Sequence, residues 1–165
     1  MLSATGVKPD PKNIEAVKSF RKPNTITELR SLIGAISYFR RFIPAFAKIV
    51  QPLYQLTKCE SVGGWKDEHT EALEIIKEKL VNAPVLAPPR FGQPFEVETD
   101  ASAKAIAAVL LQRNNNNELH PIVFASRTLN KHECRYPSVE LEAMAVAFAA
   151  KEFAPYLEGS GTSVI

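Results

Sequence analysis

Residues 95–125 read FEVETDASAKAIAAVLLQRNNNNELHPIVFA, and three strand signals follow one another in them. Phe95–Thr99 alternates large apolar with acidic side chains, the period of a strand with one wet face; Ile106–Gln112 is a second apolar run and Pro121–Ala125 a third. The polar NNNNE at 114–118 reads as the hairpin turn between the second and third, because Asn tolerates tight turns and bonds its own backbone. Downstream, Ser138–Leu157 is Ala-rich and predicts one long helix, and Thr162–Ile165 reads as the opening of a fourth strand.

Upstream the character changes. Pro84, Pro88, Pro89 and Pro94 exclude a continuing helix and mark a linker over 84–92. Before it, residues 12–82 look all-helical. A short apolar period runs from Asn13 to Phe20. A stronger helix opens at a cap on Thr25 or Thr27, with apolar positions Leu29, Leu32, Ile33, Ile36, Phe39 and Ile43. Pro44 punctuates it, and further helices are expected over roughly 45–57 and 67–82. The expected fold is therefore α+β: all-helical over 1–83, a linker over 84–92, and over 93–165 a mixed sheet packed on a long helix. No internal repeat is visible.

A chain of 165 residues, 45% of them hydrophobic, can bury one ordinary core or two small ones. No apolar run approaches the ~20 residues a membrane span needs, and the start lacks the layout of a secretion signal, so an intracellular protein with no membrane partner is expected. Cys59 and Cys134 stand in no metal-binding spacing, which argues against a zinc site or a disulfide scaffold. The net charge of +2 conceals an asymmetry: residues 1–58 hold ten Lys/Arg against three Asp/Glu, and residues 59–165 hold ten against fifteen. A basic segment suits a polyanion and an acidic one can hold divalent cations, although uneven, solvated surface charge gives the same counts.

On the helix expected from 27 to 43, the ~100° step per residue puts Arg30, Gly34, Ser37, Tyr38 and Arg41 on one stripe, roughly opposite the Leu29/Ile33/Ile36 face. An interior Gly costs a helix about 1 kcal/mol relative to Ala, which points to a close approach to the backbone there. A duplex minor groove fits, with Tyr38 against sugar or base edges and Arg30 and Arg41 on phosphates. A Gly that admits a neighbouring helix, beside solvated Arg residues, fits equally.

The run TITELRSLIGAISYFRRFIPAFAKIVQPLYQLTK (25–58), followed by Trp65 and by EALEIIKEKLVNAPVLAPPRFGQPFEVETDAS (71–102), strongly resembles the Pol region of Ty3/gypsy-type retrotransposons and related retroviruses over nearly the whole chain. The resemblance implies a reverse-transcriptase thumb at 1–83 that grips the primer–template duplex, with Gly34 and Tyr38 at groove-facing positions, followed by the first part of a ribonuclease H domain. Its partners would be an RNA–DNA hybrid or DNA duplex and the remainder of the polyprotein. The aspartate pair that polymerase chemistry requires is absent here, so no DNA synthesis is expected of this chain.

Hydrolysis of a phosphodiester with two metals needs several carboxylates at one point. Asp100 ends the first strand, directly before a turn-like AlaSerAla, where it could equally be an ordinary turn cap. Glu140 and Glu142 point roughly 200° apart on the long helix, so only one can face the sheet. Glu142 shares its stripe with Val146, Ala149 and Phe153, which predicts that Glu142 looks inward and Glu140 outward; both would also suit the helix dipole. The resemblance implies that Asp100 and Glu142 are catalytic and bind Mg²⁺ that serves cleavage of RNA in a hybrid. In the family two further acids complete the site, the first on the strand entered at Val164–Ile165, and Ala105 and Ala107 stand where glycines are common. The expectation is therefore little or no activity from this chain alone, weak Mg²⁺ binding, and self-association through an open sheet edge. The competing expectation is a non-catalytic nucleic-acid-binding or connection-type domain.

Overall fold

Proline and cap residues divide the N-terminal half of the protein. The computed structural model describes residues 2–3, 6–59 and 61–158. A short antiparallel hairpin, β1 (Leu2–Ser3) with β2 (Gly6–Val7), precedes helix α1 (Pro11–Lys18). Helix α1 begins two residues earlier than its apolar period suggests. Asp10 caps it by accepting the Lys12 N–H at 2.9 Å, and Pro11 loses nothing at a position whose N–H has no helical partner.

Helix α2 (Ile26–Ser37) starts at Thr25, whose hydroxyl accepts the Glu28 N–H at 3.1 Å, while the Glu28 carboxylate accepts from the Asn24 N–H at 2.7 Å. Its inward stripe, Leu29, Leu32, Ile33 and Ile36, is buried. The helix does not run on to Ile43 as the apolar period predicts. It stops at Ser37, Arg40–Phe42 tightens into a 3-10 turn, and Ile43 is extended (φ −114, ψ 113). Pro44 accounts for the extended Ile43, because its ring disfavours the helical conformation in the residue before it. Ala45, left-handed at φ 51, then turns the chain into α3 (Phe46–Leu56). Helix α4 (Asp67–Val81) completes the helical part, and its buried Ala72, Leu73, Ile76 and Leu80 share one apolar cluster with α2 and α3.

The Pro-rich segment is packed down against both parts. Val7 and Leu86 exchange backbone hydrogen bonds at 2.8 and 3.0 Å, and Leu86 is fully buried. This approach fixes Gly6, whose φ of +139 only Gly adopts readily and where a Cβ would meet the Leu86 carbonyl. Further on, the Ala87 N–H donates to the Pro121 carbonyl at 2.8 Å, and the buried Gln112 amide accepts from the Arg90 N–H and donates to the Arg90 carbonyl.

Strands β3 (Glu96–Ala101), β4 (Ala105–Arg113) and β5 (Leu119–Thr128) form an antiparallel sheet in that order, with the Asn-rich hairpin between β4 and β5 as expected. The mixed character expected of the sheet rested on the strand at 162–165, which lies outside the described residues. Among those residues β3 has no partner on its outer edge, the edge through which self-association is expected.

Alternation sorts the sheet into two faces. Val97, Ala108, Leu110, Val123 and Ala125 face α5 (Ser138–Leu157) and share a cluster with its Ala149 and Phe153. The other face carries Glu98, Asp100, Val109, Phe124 and Ser126. Phe124 joins the helical cluster, and the Ser126 hydroxyl accepts from the Ala47 N–H at 2.9 Å. The sheet is thus a middle layer between α3 and α5.

Candidate nucleic-acid interface and carboxylate end

Arg30 and Gly34 lie on the solvent side of α2, opposite its buried stripe. A Cβ built on Gly34 would meet nothing within 4 Å, so no neighbouring element of the described chain requires a glycine there. Tyr38 is 73% exposed, its ring edge-on to the buried Phe39. Arg41 is exposed as well, its guanidinium 5.8 Å from the centre of the Phe42 ring. Since α2 ends at Ser37, Arg41 is not on the helical stripe predicted for it; the 3-10 turn presents it instead. Among the described residues neither Arg30 nor Arg41 is in an ion pair.

The carboxylates are placed differently from expectation. The buried stripe of α5 is Leu141, Ala145, Ala149 and Phe153, whereas Val146 is 58% exposed and Glu140 and Glu142 are both exposed. Glu142 therefore does not look inward: the helix is rotated so that its neighbour Leu141 takes the sheet. Asp100, near the end of β3, alternates to the face away from α5. There it stands beside Glu98 over a cleft of about 210 Å³ bounded by Val109, Phe124 and the Pro44–Ala45 corner.

The first turns of α5 nevertheless come to the same end of the sheet as Asp100. Arg127, on the rung that ends β3, forms a two-pronged ion pair at 2.9 and 3.0 Å with Glu133, just ahead of α5, and lies 5.8 Å from the Phe148 ring. The Arg127 guanidinium and the Asn130 N–H hold the Glu133 carboxyl below the usual carboxylate range. Asp100 therefore lies on the face away from α5, and Glu142, exposed on α5, lies on the other side of the sheet. Glu98, in the same cleft as Asp100, went unmarked in the sequence reading; its position two residues before Asp100 on a strand was the available signal.

Carboxylate oxygens are the right donors for Mg²⁺, but among the described residues no three His, Cys, Asp or Glu side chains gather where they could hold an ion. The described residues do not by themselves fit a metal centre. No helix among them is long and apolar enough to cross a membrane.

Residues 65–164 match the family model described as the RNase H-like domain found in reverse transcriptase. The chain belongs to that family. The matched segment of this RNase H-like chain begins at Trp65, so α4 and the Pro-rich segment lie within it. The Pol polyprotein from transposon 297 of Drosophila melanogaster is 38% identical over 160 residues, which is 96% of this chain and 15% of that protein. The Tf2-3 polyprotein of Schizosaccharomyces pombe is 33% identical over 159 residues, 96% of this chain and 12% of that one. The RNase H-like chain therefore spans well under a fifth of the curated relatives it matches. Among solved structures, a foamy viral protease–reverse transcriptase bound to double-stranded DNA superposes with a TM-score of 0.83 at 25% identity, over 99% of this chain and 29% of that one. The same viral protein in complex with an RNA/DNA hybrid gives the same TM-score and identity, over 22% of its length. The Ty3/gypsy-type resemblance and the α+β RNase H-like fold are both borne out.

Proposed function

We propose that this chain serves a retroelement reverse transcriptase by gripping a nucleic-acid duplex, RNA–DNA hybrid or DNA, through the exposed face formed by Arg30, Gly34, Tyr38 and Arg41, in the manner of a polymerase thumb. The observation that carries the reading is the open space over Gly34. The helix gives up stability at that position and nothing else in the described chain uses the room, so the close approach is made by a partner. Arg30 and Arg41, neither in an ion pair among the described residues, supply phosphate contacts, and Tyr38 offers a ring to sugar or base edges. Solved relatives in complex with double-stranded DNA and with a hybrid support the choice of ligand.

The test is a titration of a labelled hybrid against ionic strength. Each phosphate contact adds about 0.9 to the slope of log K against log salt, so Arg30→Ala with Arg41→Ala should weaken binding and lower the slope by about 2. An unchanged slope would overturn the reading.

A second role is supported by the match to the RNase H-like family model: a share in Mg²⁺-dependent cleavage of the RNA strand within a longer polyprotein. The described residues do not hold an ion by themselves, so that role needs further carboxylates beside Asp100 and Glu142. For the chain by itself the expected result is no hybrid cleavage in Mg²⁺ or Mn²⁺. Cleavage that disappears in Asp100→Asn would show that the site is complete within these residues.

A further inference from the structure

A cleft of about 440 Å³ runs between the 3-10 turn and α5, alongside the outer edge of β5. Five successive residues, Val123–Arg127, line it. Successive strand residues point to opposite faces, so a cleft that touches all five follows the backbone edge of the strand rather than either face of the sheet. One wall is Tyr38, Arg40 and Arg41; the other is Phe148, Glu152 and Tyr156 of α5. Tyr38 and Arg41 therefore belong both to the duplex-gripping face and to the mouth of this cleft, which makes the two surfaces continuous.

We propose that the cleft takes a phosphodiester backbone continuing from the duplex held on α2, with Arg40 as its principal phosphate contact and Tyr156 as a flanking ring. This rests on the reading of α2 as a duplex face. Arg40 begins the 3-10 turn, is exposed, and is in no ion pair among the described residues. Arg127 at the far end is already neutralised by Glu133, so its charge is spent inside the fold. That leaves two available arginines against one carboxylate, Glu152, with aromatic rings on both walls, the combination that tracks a nucleic-acid strand without reading its sequence. An extended peptide pairing with the β5 edge is the rival occupant, but it has no use for two arginines and two tyrosines at the rim.

The probe is the labelled hybrid, titrated at several salt concentrations with three variants of the whole chain. Arg40→Ala should weaken binding several-fold and lower the salt slope by about 1, whereas Glu152→Lys should tighten binding and raise the slope by about 1. Opposite responses on the two walls cannot come from misfolding. If Arg30→Ala weakens binding while Arg40→Ala and Glu152→Lys leave it unchanged, the cleft proposal fails and the α2 face stands. Loss of response in all three overturns both. Capture of an unlabelled peptide from the polyprotein that is competed by neither hybrid nor salt would assign the cleft to the strand edge instead.

Discussion

Gly34 sits in the middle of α2 with open space where a Cβ would go. Ala there is a better helix former by about 1 kcal/mol, which for a chain of this size corresponds to a melting temperature higher by about 2–4 °C. The same methyl would stand between the backbone and an approaching groove. Gly34→Ala is therefore expected to raise the melting temperature while weakening hybrid binding, read by calorimetry and by titration of one sample; a rise in both, or no change in affinity, would assign Gly34 no part in binding. At this scale the sequence placed Arg30, Gly34 and Tyr38 opposite the buried stripe, where the structure exposes them, but left the reason for Gly34 open, because a glycine beside a packed helix and one facing open space look alike until the neighbours are placed. The acids were less legible. The step from Glu140 to Glu142 says that both cannot face inward, but not that Leu141, between them, takes the sheet.

The error in α5 is one of rotation at the level of the element. Ala149 and Phe153 do pack inward as the stripe suggests, yet the stripe continues to Ala145 and Leu141 at i−4 steps and leaves Val146 in solvent. Between Ala143 and Ala150 every residue of the helix is apolar, so the hydrophobic pattern there is nearly uniform around the axis and small differences among Ala, Val and Phe cannot fix the angle. Two substitutions measure it. Phe153→Ala should cost about 3–5 kcal/mol, as for a buried ring, and Val146→Gln should stay within about 0.5 kcal/mol, as for a surface position. Comparable losses by denaturant unfolding would return Val146 to the sheet. Element boundaries were read well wherever a local signal fixed them, as at Thr25, at the Asn-rich hairpin and over Ser138–Leu157, and missed at residues 38–43, where the apolar period runs on past the end of the helix at Ser37 and Pro44 holds only Ile43 extended.

Across the whole molecule, the helical part and the sheet share side chains. Phe124 joins the helical cluster, Ala47 bonds Ser126, and the Pro-rich segment bonds to β2 and β5, so a stretch that reads as a linker is part of the packing. None of this was visible in the sequence, because Phe124 and Ser126 lie on an ordinary strand and the proline signal reports only where helix cannot continue. The arrangement gives the exposed arginines of α2 and the 3-10 turn a fixed position relative to the sheet. The most direct measurement is a map of amide chemical shifts as an RNA–DNA hybrid is titrated into isotope-labelled protein. Shifts centred on Arg30, Gly34, Tyr38 and Arg41 are predicted; shifts that avoid α2 and the 3-10 turn, or none at stoichiometric hybrid in low salt, would contradict a duplex-gripping role.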